Sequence, residues 1–256
     1  MHHRKTALLL AALLPLAATA EDTPAPPTGW TGTGELGMAM TRGNSRTESL
    51  NAKLRFAHED AQWKNTFGAS ALRARAQVRG DFDGDGTGQA RYETSADRYE
   101  LATSSAYKFN PRNHVSGSAR YEHDSFSSYE YQATFAMGYG YRIEGERARL
   151  VAEAGPGYRR ARETDTGTIR RDLIGRCLLD FRHRLTGNTD LLNTLLVESG
   201  SDNTFAQNDL NLAVAMNAHL ALKAGVQARH NSQVDRTAGQ RKTDTLTTIN
   251  LVYNFR

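Results

Sequence analysis

From residue 129 to residue 143 the odd positions read Tyr129, Tyr131, Ala133, Phe135, Met137, Tyr139, Tyr141 and Ile143, while the even ones read Glu130, Gln132, Thr134, Ala136, Gly138, Gly140 and Arg142. An extended strand sorts side chains onto opposite faces with this period of two, and a helix does not. The same alternation sets Trp30, Leu36, Met38 and Met40 against Thr31, Thr33, Glu35 and Thr41. It sets Leu50, Ala52, Leu54 and Phe56 against Ser49, Asn51, Lys53 and Arg55. It returns near the end, where Thr245, Thr247, Ile249, Leu251, Tyr253 and Phe255 oppose Asp244, Thr248, Asn250 and Asn254. No segment of ten or more residues sustains a helical stripe, so the chain reads as all-β.

Twelve strands are predicted, near 30–42, 46–58, 62–79, 91–109, 114–123, 129–143, 148–161, 170–185, 190–199, 205–216, 219–231 and 243–255. Most reach the roughly 9–11 residues that a tilted strand needs to cross a hydrocarbon core, whereas strands of a soluble sandwich run to about 5–6. Connections after the even-numbered strands are tight, at 58–61, 110–113, 144–147, 186–189 and 216–218. Those after the odd-numbered strands are mostly longer, at 80–90, 124–128, 162–169, 200–204 and 232–242, with 43–45 the exception. Short turns on one side, long loops on the other and both termini with the short turns describe an antiparallel up-and-down transmembrane β-barrel of the bacterial outer membrane. On that assignment Trp30, Phe56, Trp63, Tyr107, Phe109, Tyr139, Tyr141, Phe181, Tyr253 and Phe255 fall near the periplasmic rim. Tyr121, Tyr129, Tyr131 and Tyr158 fall near the outer rim, as the preference of aromatic rings for bilayer boundaries requires. A soluble β-sandwich, the competing architecture, would scatter its aromatics along strand centres and would be extracted by salt or carbonate without detergent.

The first 20 residues set the expected compartment. Residues 1–5 carry positive charge, residues 6–16 form an apolar run too short to span a bilayer as a helix, and Ala18-Thr19-Ala20 offers small residues for cleavage before Glu21. Residues 1–20 therefore read as a signal peptide, 21–29 as a Pro-rich periplasmic tether and 30–256 as a barrel in the cell outer membrane, reached after export. A mean hydropathy of −0.60 excludes a bundle of membrane helices. The single cysteine, Cys177, supports neither an internal disulfide nor a Cys-based zinc site, and it falls on the lipid-facing row with Leu173, Leu179 and Phe181. The 32 Lys+Arg residues interleave with 28 acids, and no basic block marks a nucleic-acid face.

The inward-facing row carries Arg55, Arg98, Glu100, Arg120, Glu122, Arg142, Arg149, Glu153, Arg159, Arg176, Asp180 and Arg182. Charges are costly against lipid, so this set is expected to line the lumen. Two readings are open: an Arg-lined pore that favours anions, or an Arg–acid network that plugs and stabilises the barrel. Pro156 falls mid-strand and lacks the backbone donor a ladder needs, which predicts a bulge between Gly155 and Gly157. The ninth strand has leucines on both faces, Leu192 and Leu196 against Leu191 and Leu195, and its register is ambiguous.

The run Thr33-Gly-Glu-Leu-Gly-Met-Ala-Met-Thr-Arg-Gly-Asn-Ser45, then Trp63-Lys-Asn65, Gly155-Pro-Gly-Tyr-Arg159, Lys242-Thr-Asp-Thr245 and Leu251-Val-Tyr-Asn-Phe255 resemble the YdiY-like proteins, a family described as salt-induced outer-membrane proteins of unknown function. The resemblance implies an outer-membrane barrel in a Gram-negative envelope and a link to osmotic stress, with no catalytic residue to carry over. Outer-membrane proteins usually end on an aromatic residue that the assembly machinery reads. Here Arg256 follows Phe255, so Tyr253 and Phe255 are the expected signal.

Two patterns point to chemistry. Asp81, Asp83 and Asp85, followed by Gly86, match the first positions of a calcium loop, but Tyr92 stands where a bidentate Glu belongs, and the alternative is a solvated surface loop. His123 and Ser125 lie two apart and so share one strand face at the outer rim, an arrangement that an outer-leaflet lipid hydrolase could use if a third group oriented the His. Histidines 58, 114, 183, 219 and 230 show no metal-ligand spacing. The expectation is a non-enzymatic barrel without cofactor, in contact with outer-membrane lipid, serving a structural role or forming a narrow pore; the alternative is the lipid hydrolase.

Overall fold

The computed structural model describes residues 29–41, 47–81, 88–233 and 242–255. The expected signal peptide, the tether up to residue 28, Asp83, Asp85 and the connection at 43–45 lie outside the described residues. Twelve strands follow in order: β1 (Gly29–Thr41), β2 (Thr47–Glu59), β3 (Trp63–Gly80), β4 (Gln89–Lys108), β5 (Asn113–Asp124), β6 (Tyr129–Glu144), β7 (Ala148–Glu163), β8 (Ile169–Arg184), β9 (Thr189–Gly200), β10 (Thr204–Ala215), β11 (Leu220–Asn231) and β12 (Thr243–Phe255). Their ends lie within two residues of those read from the alternation. Each strand pairs antiparallel with its chain neighbours, and β1 pairs with β12, which closes the sheet. A closed sheet leaves no edge of unpaired backbone groups, the condition for crossing hydrocarbon with strands. No described helix is long and apolar enough to cross a membrane.

The apolar rows all point outward. Leu173 is 81% exposed, Trp30 72% and Met38 66%, values that suit a lipid-facing wall and no aqueous surface. At the short-turn end the aromatic rings touch one another: Trp30 meets His58 at 5.0 Å, Trp63 meets Tyr107 at 5.1 Å, and Tyr253 meets Phe255 at 4.9 Å. Three of the short turns share one device. Asp60 Oδ1 accepts from the backbone N–H groups of Gln62 and Trp63, Asn110 Oδ1 from those of Arg112 and Asn113, and Asn217 Oδ1 from those of His219 and Leu220. A short Asx side chain thus supplies the acceptor that the reversing backbone lacks.

Two local expectations are corrected. No bulge forms at Pro156: Ala136 pairs with Gly157 and Tyr139 with Ala154, so the β6–β7 register is the same on both sides of it, and on the β8 side Pro156 sits directly opposite Gly175. The flanking glycines explain why. A Cβ on Gly155 would lie 2.1 Å from the Met137 carbonyl oxygen, so the two backbones close up around the missing donor without an extra residue. The β6–β7 irregularity falls instead between Tyr129 and Tyr131. It pairs Tyr129 with Glu163 and turns its ring inward, where it is 4% exposed, so Tyr129 does not belong to the outer aromatic belt and does not share a face with Tyr131. In β9, Leu195 pairs with Leu179 and Leu196 with Leu178, which sends Leu191, Leu195 and Val197 outward and Leu192 and Leu196 inward.

Candidate functional site

Because β5 and β11 are six places apart in a ring of twelve, their inner faces look at each other across the lumen. Arg229 on β11 pairs through Nη2 with Glu122 on β5, and its Nη1 lies 3.1 Å from Asp124. One step toward the short turns, Arg120 on β5 donates to Glu122 at 2.9 Å and to Glu198 on β9 at 2.6 Å, with Glu100 on β4 at 3.6 Å. Phe205 on β10 is fully buried between the two guanidinium groups, 4.7 Å from that of Arg120 and 5.3 Å from that of Arg229. Cation–π contact and ion pairs from each guanidinium to two separate carboxylates thus hold both arginines in fixed positions. Arg98 extends the chain of contacts by donating to Gln227 at 2.7 Å, and Gln227 donates to Asp209 at 2.7 Å. The result is a septum of charged and amide side chains across the part of the barrel nearest the longer loops. Glu122 and Glu198 within it are 2% and 1% exposed.

The loop between β9 and β10 closes over the septum from outside. Asp172 accepts hydrogen bonds from the backbone N–H groups of Ser201 and Asp202, and Arg159 donates to the carbonyl of Asn203 at 2.6 Å and to Asp172 at 3.2 Å. Asn203 in turn donates to Asn231 and accepts from the hydroxyl of Ser232, which ties this loop to the end of β11. Below the septum, Arg176 lies 3.7 Å from Glu153, and Glu153 accepts from His114 at 2.9 Å and from Ser116 at 3.0 Å.

Toward the short-turn end the inward side chains are more accessible. Arg55 is exposed, Arg182 is paired with Asp190 yet keeps 46% of its side chain accessible, and Arg149 faces Asp180 at 3.8 Å. Arg142 joins a rim cluster in which Glu59 takes Lys64 at 3.3 Å and Lys108 at 3.1 Å. Glu35 and Lys223 pair on the facing wall.

Of the inward residues named from the sequence, Arg98, Glu100, Arg120 and Glu122 join the septum, Arg159 holds the loop above it, Glu153 and Arg176 form the layer beneath it, and Arg55, Arg142, Arg149, Asp180 and Arg182 stand apart toward the short turns. The opposite wall was missed: Glu198, Phe205, Asp209, Gln227 and Arg229. The polar row of β11 was legible in the alternation of Lys223, Gln227 and Arg229, whereas Glu198 was hidden by the leucines of β9 and Phe205 by being apolar.

On the outer surface Ser125 Oγ lies 3.3 Å from His123 Nε2, and the ring of Tyr99 stacks on His123 at 5.1 Å. No described side chain donates to or accepts from the other ring nitrogen of His123, the place where a hydrolase needs an orienting group. Cys177 is exposed on the outer wall between its strand partners Ala154 and Val197 rather than packed in a core. Among the described residues no three His, Cys, Asp or Glu side chains converge as a metal site.

Residues 34–255 match the family described as "Protein of unknown function, DUF481". The chain is 26% identical over 164 residues to the uncharacterized protein YdiY of Escherichia coli (strain K12), and the match spans 64% of each protein, just under two thirds of that relative's length. Solved structures of similar shape include the NanC porin, with 11% identity, 88% of this chain and 98% of that chain covered and a TM-score of 0.47. Another is the translocator domain of the autotransporter NalP from Neisseria meningitidis, with 12% identity, 91% and 90% coverage and a TM-score of 0.46.

Proposed function

We propose, for a chain that belongs to the DUF481 family of unknown function, that it works as a non-enzymatic outer-membrane barrel whose lumen is sealed by the ion-pair septum. The observation that carries this reading is the direct pairing of Arg229 with Glu122 across the barrel, backed by Arg120 with Glu198. Water-filled porins of 16 or so strands leave an aqueous channel, whereas a barrel of twelve is narrow enough for long side chains to meet across it. Within the septum the charges of Arg120 and Arg229 are matched by Glu122, Glu198 and Asp124, so these two arginines are not free to attract anions. Export through the signal peptide, and recognition of Tyr253 and Phe255 by the assembly machinery, complete the proposed route to the membrane.

The test is conductance of the refolded mature chain in a planar bilayer under a potassium chloride gradient. No discrete steps are expected from the wild type, and stable openings from Arg120→Ala/Arg229→Ala. Anion-selective steps from the wild type would overturn the sealed reading in favour of a pore. The 3.3 Å contact between His123 and Ser125 keeps a second reading, an outer-leaflet lipid hydrolase. Phospholipid turnover that Ser125→Ala abolishes would establish it; turnover that is absent, or unchanged in that variant, removes it.

A further inference from the structure

We propose that the outer wall over β4–β8 binds an outer-leaflet lipid whose head group carries phosphate, with Arg160 and Arg171 holding the phosphate and a diagonal groove holding an acyl chain. This inference rests on the outer-membrane reading above. Arg160 on β7 and Arg171 on β8 are direct cross-strand partners, and both are exposed on the outward row that continues as Tyr158 and Leu173. Like charges set side by side repel. Among the described residues neither has an acidic partner, whereas Arg162, the next outward position on β7, pairs with Glu130 at 3.3 Å, and Arg170 with Glu163 at 2.8 Å. Two adjacent guanidinium groups without a counter-charge at a membrane boundary call for an anion from outside the chain, and a phosphate has the charge and oxygens to meet both forks.

The register supplies the rest of the site. Arg160 pairs with Ala133 on β6, and Ala133 with Tyr121 on β5; one outward row closer to the periplasm, Tyr158 pairs with Phe135 and Phe135 with Ala119. The small residues Ala133 on β6 and Ala119 on β5 therefore lie on a diagonal. Leu101 and Tyr121 wall one side and Phe135 and Tyr158 the other, leaving an apolar groove of about 620 Å³ with Arg160 at its end. The arginine pair lies one outward row below His123 and Tyr131, which are paired at the long-loop rim, so the leaflet it faces is the outer one. Head-group anion and buried chain are thus placed in the order in which a phosphorylated glycolipid presents them.

The experiment uses the full mature chain in detergent, each variant first shown folded by heat-modifiable migration. Native mass spectrometry then measures retention of diphosphorylated lipid A, of the same lipid without phosphates, and of phosphatidylethanolamine. The wild type is expected to prefer the diphosphorylated lipid by about tenfold or more, Arg160→Gln/Arg171→Gln to lose that preference, and Ala133→Trp to weaken retention with the arginines intact. Equal retention of all three lipids, an unchanged preference in the arginine variant, or full displacement by equimolar inorganic phosphate would overturn the proposal. So would a dimer that buries this face and excludes lipid. A barrel that conducts yet keeps the lipid preference fails only the sealed-lumen reading; one that is silent and shows no preference fails only this one.

Discussion

At the scale of single residues, the outer wall between β9 and β10 carries two polar groups that satisfy one another. Asn193 on β9 and Asn208 on β10 face outward, in line with Phe181 and Leu210, and their amides exchange two hydrogen bonds of 3.2 Å. Hydrocarbon offers no substitute partner, so removing one amide leaves the other unpaired. Asn193→Ala is expected to lower the unfolding free energy by about 1–3 kcal/mol in a urea titration in lipid vesicles. Asn193→Leu/Asn208→Leu should recover most of that loss, because nothing polar then remains.

At the scale of elements, the hairpin between β2 and β3 shows how a turn becomes sensitive to pH. The backbone N–H groups of Trp63 and Gln62 donate to the Asp60 carboxylate and hold its pKa below the ordinary aspartate range. A carboxyl that is more acidic folded than unfolded stabilises the fold above the unfolded value, and that contribution is lost as pH falls through the folded value. Titration of the Asp60 carboxyl carbon by NMR should therefore show a midpoint below that of an unfolded peptide. Asp60→Asn should keep the turn, since the amide oxygen can accept the same bonds, and remove this share of the acid sensitivity. The β1–β12 seam is the shortest junction, with five residue partners among the described residues, Gly32–Phe255 to Leu36–Leu251, against eleven or more elsewhere. Closure thus depends most on the first and last strands.

At the scale of the whole molecule, the septum couples opposite walls that share no backbone hydrogen bond. Glu122 meets arginines from β5 and β11, so Glu122→Ala leaves two buried guanidinium groups short of a partner and is expected to cost about 3 kcal/mol. Arg229→Ala strands Glu122 and Asp124 in the same way. The double variant should cost less than the sum of the singles, because the second substitution removes a charge already unpaired. Strict additivity in equilibrium unfolding would mean that the two walls are not coupled.

Read residue by residue, the alternation determined most of the architecture: Tyr131 to Ile143, Leu50 to Phe56 and Ile249 to Phe255 each show an apolar face and a polar face, and strand and turn lengths then give the number of strands and their up-and-down order. Those signals are local, since each depends on neighbours two or four residues away. Where a local pattern was broken, packing decided: glycines on either side of Pro156 absorbed it without a bulge, and one irregular residue turned Tyr129 into the lumen. Which arginine meets which acid was settled by the tertiary structure alone. Arg229 and Glu122 are 107 residues apart and become partners only because twelve strands close into a ring narrow enough for their side chains to touch. On the outside, the register of the β7–β8 hairpin sets Arg160 beside Arg171 and leaves two like charges facing the membrane together.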